Sequence, residues 1–195
     1  MKSAIEILNK LFGSANRVKI LRFFLSNPED GFSLKTVSER LNIASMALKK
    51  EIVILNKSGF VKLVKKDKNE KWFLNRLFMF LKPLKNLILS VSPISRNGLT
   101  EKLKKIGRLK LVILSGSLIQ EDNDSKTDIL VVGDIFNKSL ITKLLKNMET
   151  EAGKEISYVI MNTKEFRYRM DIRDKFIREI IESPHETILD RLKIF

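Results

Sequence analysis

The sequence predicts an α+β protein with two domains, and three observations support that prediction. The first part of the 195-residue chain has apolar residues at helical spacing. Two short stretches follow that alternate as the strands of a hairpin do. The later part alternates strands of the buried type with helices, which indicates a small α/β layer.

Charge is distributed unevenly between the same two parts of the chain, whose net charge is +14. Residues 1–110 contain 24 Lys and Arg against 8 Asp and Glu, a net charge of +16. Residues 111–195 contain 13 against 15, a net charge of −2, so the whole excess belongs to the first part. This division of charge predicts that one part of the chain binds a polyanion and that the other part has a different function.

Composition excludes several classes of site. The chain has no Cys, which rules out disulfides, thiolate metal ligands and cysteine nucleophiles, and its single histidine, His185, leaves no cluster for zinc. Charges at Lys2, Glu6 and Lys10 interrupt any signal-peptide core, and no apolar stretch approaches the ~20 residues of a membrane span. We therefore expect a cytoplasmic protein with no cofactor, no metal and no membrane partner, although anionic lipid would also attract the basic part.

Apolar periodicity and capping residues predict four helices before the hairpin. Gly13 ends the first helix, Ser14 and Ser33 are N-cap residues for the second and third, and Asn42 begins a tight turn before the fourth. The predicted helices cover residues 3–12, 14–25, 34–41 and 44–57. Strands at 60–64 and 71–74 follow, joined by the polar turn 65–70.

A junction between two domains is predicted after the hairpin. Residues 76–90 are apolar at helical spacing with an interruption at Pro83, and two turn signals follow within residues 91–98. The predicted domains are therefore 1–75 and 99–195, with 76–98 as a linker helix and junction.

The second domain is predicted to alternate short strands with helices. Its predicted helices cover residues 99–106, 138–150, 163–181 and 187–192, and its predicted strands cover 109–114, 129–132 and 156–161. The Arg residues within 163–181 have acidic neighbours, so surface ion pairs are expected there.

The segment from Ser33 to Val64 resembles the winged helix-turn-helix of bacterial and archaeal transcription regulators. Two helices joined by a turn are followed by Leu-x-x-x-Gly-Phe-Val and then by the hairpin, and the resemblance covers roughly residues 14–75. It implies that the second helix of the motif enters the major groove while the hairpin wing lies along the backbone or the minor groove.

The residues of the fourth helix agree with this implication. Leu48, Ile52 and Leu55 recur at helical spacing and should face the core, which turns Ser45, Lys49 and Lys50 outward. Short and cationic side chains suit groove entry and phosphate contact, so double-stranded DNA is the expected partner. Protein contact and a merely solvated basic surface are the alternatives.

The wing adds further candidate phosphate contacts, which would supply affinity that depends on salt and not on sequence. Its lysines are accompanied only by the acids Asp67 and Glu70. The candidate contacts are Lys62, Lys65, Lys66, Lys68 and Lys71.

Residues 111–133 resemble the core of the polymerase-beta-type nucleotidyltransferases. Gly116 and Ser117 match the Gly-Ser turn of that family, Asp128 matches the second acid, and Lys126 stands where the first acid is expected. The resemblance implies carboxylates that hold divalent metals, with a third acid on the strand predicted at 156–161. That strand has no acid of its own, and only Glu155 stands beside it.

The departures from the family pattern favour a vestigial nucleotide site with no catalytic residue and no metal. A cation at Lys126 replaces an anionic metal ligand, so two converging acids are lacking. Three acids of the preceding loop could compensate in principle, although loop acids are more often solvated turn residues. They are Glu121, Asp122 and Asp124.

We therefore expect a DNA-binding transcription regulator with a catalytically inactive nucleotidyltransferase-like sensor or interaction domain. One alternative is an active nucleotidyltransferase with a winged-helix targeting module, and another is an antitoxin-like adaptor that binds protein. Candidate partners besides DNA are a protein, a small-molecule effector and a second copy of the chain. For a homodimer the apolar residues 77–89 are the candidate interface, and packing between the domains is the alternative use of that segment.

Overall fold

The computed structural model describes residues 4–66, 69–91, 96–119 and 126–195. The predicted α+β class is confirmed, since the described residues form helices together with two β-sheets. The chain divides into two compact units, one of residues 1–93 with 149–154 and one of residues 94–148 with 155–195. Some residues of the sequence analysis lie outside the described residues, namely Asp67, Lys68, Glu121, Asp122 and Asp124.

The first unit contains four helices, a two-stranded hairpin and a fifth helix. Two of the predicted caps are present, because the side chain of Ser14 accepts a hydrogen bond from the Arg17 N–H and that of Ser33 accepts one from the Thr36 N–H. Asn42 is left-handed, with φ of 50°, and ends the third helix. The elements are α1 (Ala4–Leu11), α2 (Ala15–Ser26), α3 (Leu34–Leu41), α4 (Ser45–Lys57), β1 (Val61–Lys66), β2 (Asn69–Leu74) and α5 (Leu81–Leu89).

The core of the first unit is aromatic near α2. Phe23 packs edge-on against both Phe24 and Phe32, and the first two rings are fully buried. Phe32 also pairs with Trp72 of β2, through backbone hydrogen bonds of 2.9 and 2.8 Å in the two directions. This bridge attaches the hairpin to the segment that precedes α3.

A buried cation ties α2 to the end of α5. The guanidinium of Arg22 donates hydrogen bonds of 2.7 Å to the carbonyls of Ile88 and Val91. Burial lowers the pKa of Arg22 to about 10, so the group stays charged at neutral pH. The two carbonyls supply the polar contacts that a buried cation requires.

The second unit is a mixed sheet with helices on both faces. The strand order is β5-β4-β3-β6, where β4 and β5 are parallel and β3 is antiparallel to both of its neighbours. The elements are α6 (Arg96–Ile106), β3 (Gly107–Leu114), β4 (Ile129–Phe136), α7 (Lys138–Ala152), β5 (Tyr158–Met161), α8 (Thr163–Asp171), α9 (Lys175–Glu182) and β6 (Glu186–Asp190).

Side-chain alternation along the strands builds the two faces of this sheet. Leu111 and Leu130 pack with Phe166 and Ile177 of α8 and α9. Their neighbours in the strands, including Val112, lie with the apolar residues of α6 and α7. The sheet is therefore the middle of three layers, which explains the continuous apolar runs 111–114 of β3 and 129–132 of β4.

The predicted helix at 187–192 is wrong, because residues Glu186–Asp190 form the edge strand β6. It pairs with β3 in a register that joins Leu111 to Asp190 and Leu114 to Glu186. A short apolar run with β-branched residues suits either structure by periodicity alone. Here the strand pairs the backbone groups of β3 that a helix would leave open.

The predicted helix at 163–181 is also wrong as a single element. The chain breaks between α8 and α9, where Arg173 has a φ of 51° and Asp174 caps α9 by accepting a hydrogen bond from the Ile177 N–H. An Asp within an apolar periodic stretch was the local signal for this break. In the segment predicted as a helix at 76–90, the helix begins only at Leu81.

Candidate functional site

Helix α4 presents the predicted polar residues to solvent. Leu48, Ile52 and Leu55 are buried in the core of the first unit, as their spacing predicted. The opposite face is therefore exposed, and it includes Ser45 and Lys49 in the first turns. Lys50 is exposed as well.

The outermost line of α4 alternates apolar and cationic side chains. Residues 46, 50, 53 and 57 follow helical spacing, and all four are exposed. We refer to Met46, Lys50, Val53 and Lys57 as the basic-apolar stripe. Its two apolar members were missed in the sequence analysis, although the periodicity that buries Leu48 also turns Met46 outward.

Glu51 holds α4 in place from its inner side. The Glu51 carboxylate accepts a hydrogen bond of 2.8 Å from Nε of Arg17, whose Nη1 donates to the Phe12 carbonyl at 2.7 Å. The Glu51 carboxylate is largely buried, so it forms no ion pair with the lysines on the exposed face of α4. The contact fixes the helix that carries the basic-apolar stripe.

The hairpin presents cations on two faces. Strand alternation and the register place Lys62 on the same face as Lys71, and both side chains are exposed. Lys65 lies on the other face, where its ammonium is 2.6 Å from the Glu70 carboxylate directly opposite. Lys66 is the last residue of β1, and Lys68 lies outside the described residues.

Several of these lysines have no acidic partner. Among the described residues, no carboxylate lies within 4.0 Å of the ammonium groups concerned, in contrast to Lys65. They are Lys49, Lys50, Lys57, Lys62 and Lys71.

Asp128 in the second unit is held by hydrogen bonds on both oxygens. Oδ1 accepts from the Ser117 N–H at 2.9 Å and from the Ser117 hydroxyl at 2.6 Å, and Oδ2 accepts from the Ser157 N–H at 2.9 Å. The residue is only 6% exposed. The carboxylate thus joins the turn after β3 to the residue before β5.

The Gly-Ser turn itself is shaped for this contact. Gly116 has a φ of +55°, a left-handed conformation that favours glycine, and it places Ser117 beside Asp128. Lys126 is exposed two residues before Asp128. Among the residues that the structure describes, no three His, Asp or Glu side chains come together in a way that could hold a metal ion.

A second aspartate, not singled out from the sequence, forms a small cluster at the end of β4. Asp134 accepts hydrogen bonds from the N–H and the hydroxyl of Thr163 at 2.9 and 2.8 Å, and Lys110 lies 2.8 Å away. The Lys110 ammonium, followed by the two Thr163 donors, lowers the pKa of Asp134 to about 2. These partners are distant in sequence, so no local pattern could have revealed them.

Asp190, the last residue of β6, binds the backbone of the residues that follow it. Its oxygens accept hydrogen bonds from four consecutive backbone N–H groups, those of residues 192–195, at 2.8 to 3.1 Å. Burial by itself would raise the pKa of Asp190, but the four donors outweigh it and the pKa is lowered. The carboxylate fixes the last turn of the chain.

The apolar segment predicted as an interface has two kinds of residue. Phe78 and Leu84 pack against the core of the first unit, so they belong to its interior side. Leu77, Met79 and Phe80 are exposed, by 92%, 81% and 57%. The predicted homodimer through this segment stays a prediction.

Comparison with known protein families, curated proteins and solved structures gives no match to the chain. Within the described residues, no helix has both the length and the apolar character needed to cross a membrane. The function therefore rests on the sequence patterns and the geometry described above.

Proposed function

We propose that this protein is a DNA-binding transcription regulator. In this proposal the first unit is a winged helix-turn-helix domain, with α4 as the recognition helix and the β1–β2 hairpin as the wing. The second unit is a nucleotidyltransferase-like domain without catalytic activity that serves as a sensor or an interaction module. The observation that carries the proposal is the set of exposed lysines on α4 and the hairpin that have no acidic partner among the described residues.

The geometry of the first unit supports a role for α4 in the major groove. The helix follows α3 after a tight turn, and its first two turns expose Ser45, Lys49 and Lys50. Recognition helices contact base edges with their N-terminal residues, and lysines beside them reach phosphates. The bridge from Phe32 to Trp72 keeps the hairpin attached near the start of α3, so the lysines of the hairpin belong to the same compact unit as α4.

The geometry around Asp128 supports the absence of catalysis. A catalytic carboxylate of this family would direct its oxygens to a metal, yet both oxygens of Asp128 already accept hydrogen bonds from the protein. Lys126 adds a positive charge where a second metal ligand would be needed. Asp128 instead has a structural role, because its hydrogen bonds connect the turn after β3 and the start of β4 to the residue before β5.

Measurement of duplex DNA binding over a series of salt concentrations tests the proposal. For the Lys49→Ala, Lys50→Ala double variant we expect weaker binding, and a plot of log K against log salt whose slope is about 1.8 smaller, or about 0.9 for each lost phosphate contact. A matched control is the Lys138→Ala, Lys143→Ala double variant, which removes two exposed lysines from α7. No binding at low salt, or equal effects of the two double variants, would contradict the proposal.

A protein-binding adaptor is the second candidate function, and the exposed apolar residues of α4 favour it. Met46 and Val53 are 75% and 50% exposed, which also suits a protein interface. An adaptor would bind its partner with little dependence on salt and would not bind duplex DNA.

A further inference from the structure

The exposed face of α4 is not simply cationic. The basic-apolar stripe runs along nearly the whole helix, with Met46 before the exposed Lys50 and Val53 between Lys50 and the exposed Lys57. A single exposed apolar side chain is ordinary on a protein surface. Two on one line of a helix, flanked by cations, match a ligand that offers apolar groups beside negative charges.

Duplex DNA offers that combination in its major groove. Each thymine presents a C5-methyl group there, and phosphates border the groove on both sides. Met46 stands in the first turn of α4, where a recognition helix meets base edges. Lys50 and Lys57 alternate with the apolar residues of the stripe. The lysines would therefore match the phosphates, and the apolar side chains would match the thymine methyl groups.

Hydrogen-bonded readout of bases has few suitable side chains on this helix. The residues that commonly make two hydrogen bonds to one base are Arg and Lys, which bind guanine, and Asn and Gln, which bind adenine. Helix α4 contains no Arg and no Gln, and its single asparagine, Asn56, lies in the last turn. The lysines of α4 could bind guanine, but its first turns carry no side chain suited to a two-bond contact with adenine. Apolar contacts with thymine are therefore the means by which α4 could recognise an A·T pair.

We propose that α4 recognises A·T-rich duplex DNA through thymine methyl groups, which Met46 and Val53 contact while the lysines of α4 bind phosphates. This inference rests on the proposed DNA-binding function. Seven residues separate Met46 from Val53, a rise of about 10.5 Å along the helix. That rise equals about three base-pair steps of ~3.4 Å, so the two side chains contact different base pairs of one short site.

Replacement of thymidine by deoxyuridine isolates the methyl group. The probes are a short alternating A·T duplex and the same duplex with every thymidine replaced, which keeps the phosphates and the hydrogen-bonding groups of the bases. We expect the full-length protein to bind the thymidine duplex about fourfold more tightly for each contacted methyl group, or roughly fifteenfold for two. The Met46→Ala, Val53→Ala double variant should bind the two duplexes equally and retain the salt dependence.

Leu11→Ala is the matched control, because Leu11 is 70% exposed, close to the 75% of Met46, but lies in α1. It should retain the preference for thymidine. Thermal unfolding followed by circular dichroism verifies that the variants fold, since exposed side chains contribute little to stability.

The outcomes separate this inference from the proposed function. Equal binding of the wild-type protein to both duplexes, with salt dependence present, would overturn the thymine contact and leave DNA binding intact. Loss of the preference in Leu11→Ala would overturn it too. Binding to neither duplex, together with a protein partner that is lost in Met46→Ala, would overturn both and make the stripe a protein interface.

Discussion

Several lysines of α4 and the hairpin are exposed with no carboxylate partner in the described part of the chain, whereas three aspartates of the second unit accept hydrogen bonds from backbone N–H groups. Lys49 and Lys62 have no carboxylate partner among the described residues. Asp128, Asp134 and Asp190 accept hydrogen bonds from one to four N–H groups each. These lysines of the first unit can thus bind a ligand, whereas the three aspartates of the second unit stabilise the fold.

This contrast teaches how a charged residue at a family-motif position should be interpreted. A carboxylate at such a position can have a structural role, because removal of a buried acceptor leaves several donors unsatisfied. An exposed lysine has no such structural role. Substitution of these aspartates in the second unit should therefore lower stability, whereas substitution of the lysines in the first unit should weaken binding.

The largest expected effect is the loss of stability in Asp128→Ala. The substitution leaves the N–H groups of Ser117 and Ser157 and the Ser117 hydroxyl without their acceptor, which should lower the free energy of unfolding by about 3 kcal/mol. Chemical denaturation followed by circular dichroism measures it, with the exposed Asp171→Ala as control. An unchanged denaturation midpoint, with loss of a magnesium-dependent nucleotide transfer, would instead support an active enzyme.

An intermediate effect is expected from a comparison of two wing lysines. Lys62 has no acidic partner among the described residues, so Lys62→Ala should weaken DNA binding and reduce the salt slope by about 0.9. Lys65 is paired with Glu70 and lies on the other face of the hairpin, so Lys65→Ala should have less effect. Binding titrations at several salt concentrations measure both, and a larger effect of Lys65→Ala would show that the opposite face of the wing meets DNA.

The smallest expected effect concerns the titration of Asp134. Its pKa is lowered to about 2, so its contribution to stability is fully present above its ordinary pKa of about 3.9 and is lost as pH falls through about 2. Lys110→Ala should raise this pKa more than Thr163→Val, because the ammonium is the larger cause. Carboxyl carbon shifts measured by NMR over an acid titration test the order, and Lys110→Arg serves as the charge-conserving control.

The parts of the fold that depend on local pattern could be predicted from the sequence. The spacing of Leu48, Ile52 and Leu55 determines which side of α4 is buried, and Ser14 and Ser33 mark helix starts by a local hydrogen bond. The edge strand β6 could not be predicted with the same means, since its identity depends on pairing with β3, more than 70 residues earlier in the chain.

The candidate site, like the fold, could be predicted from the sequence only where it depends on local pattern. The lysines were found by charge alone, but the search for charge overlooked Met46 and Val53, which share their face of the helix. The contact of Asp128 with Ser157 joins residues that precede two different strands, and that of Asp134 with Lys110 joins residues of two strands. Such contacts follow from the strand order of the sheet, which the sequence analysis did not provide.

Trp72, which pairs with Phe32 through backbone hydrogen bonds, can serve as a fluorescence reporter in the first unit. Trp72 is the only tryptophan of the chain, it is half-buried, and it lies in the hairpin strand that carries Lys71. Its fluorescence therefore originates from a single site beside the proposed wing. A shift of the emission maximum upon addition of duplex DNA would follow the engagement of the hairpin directly, without any label attached to the protein.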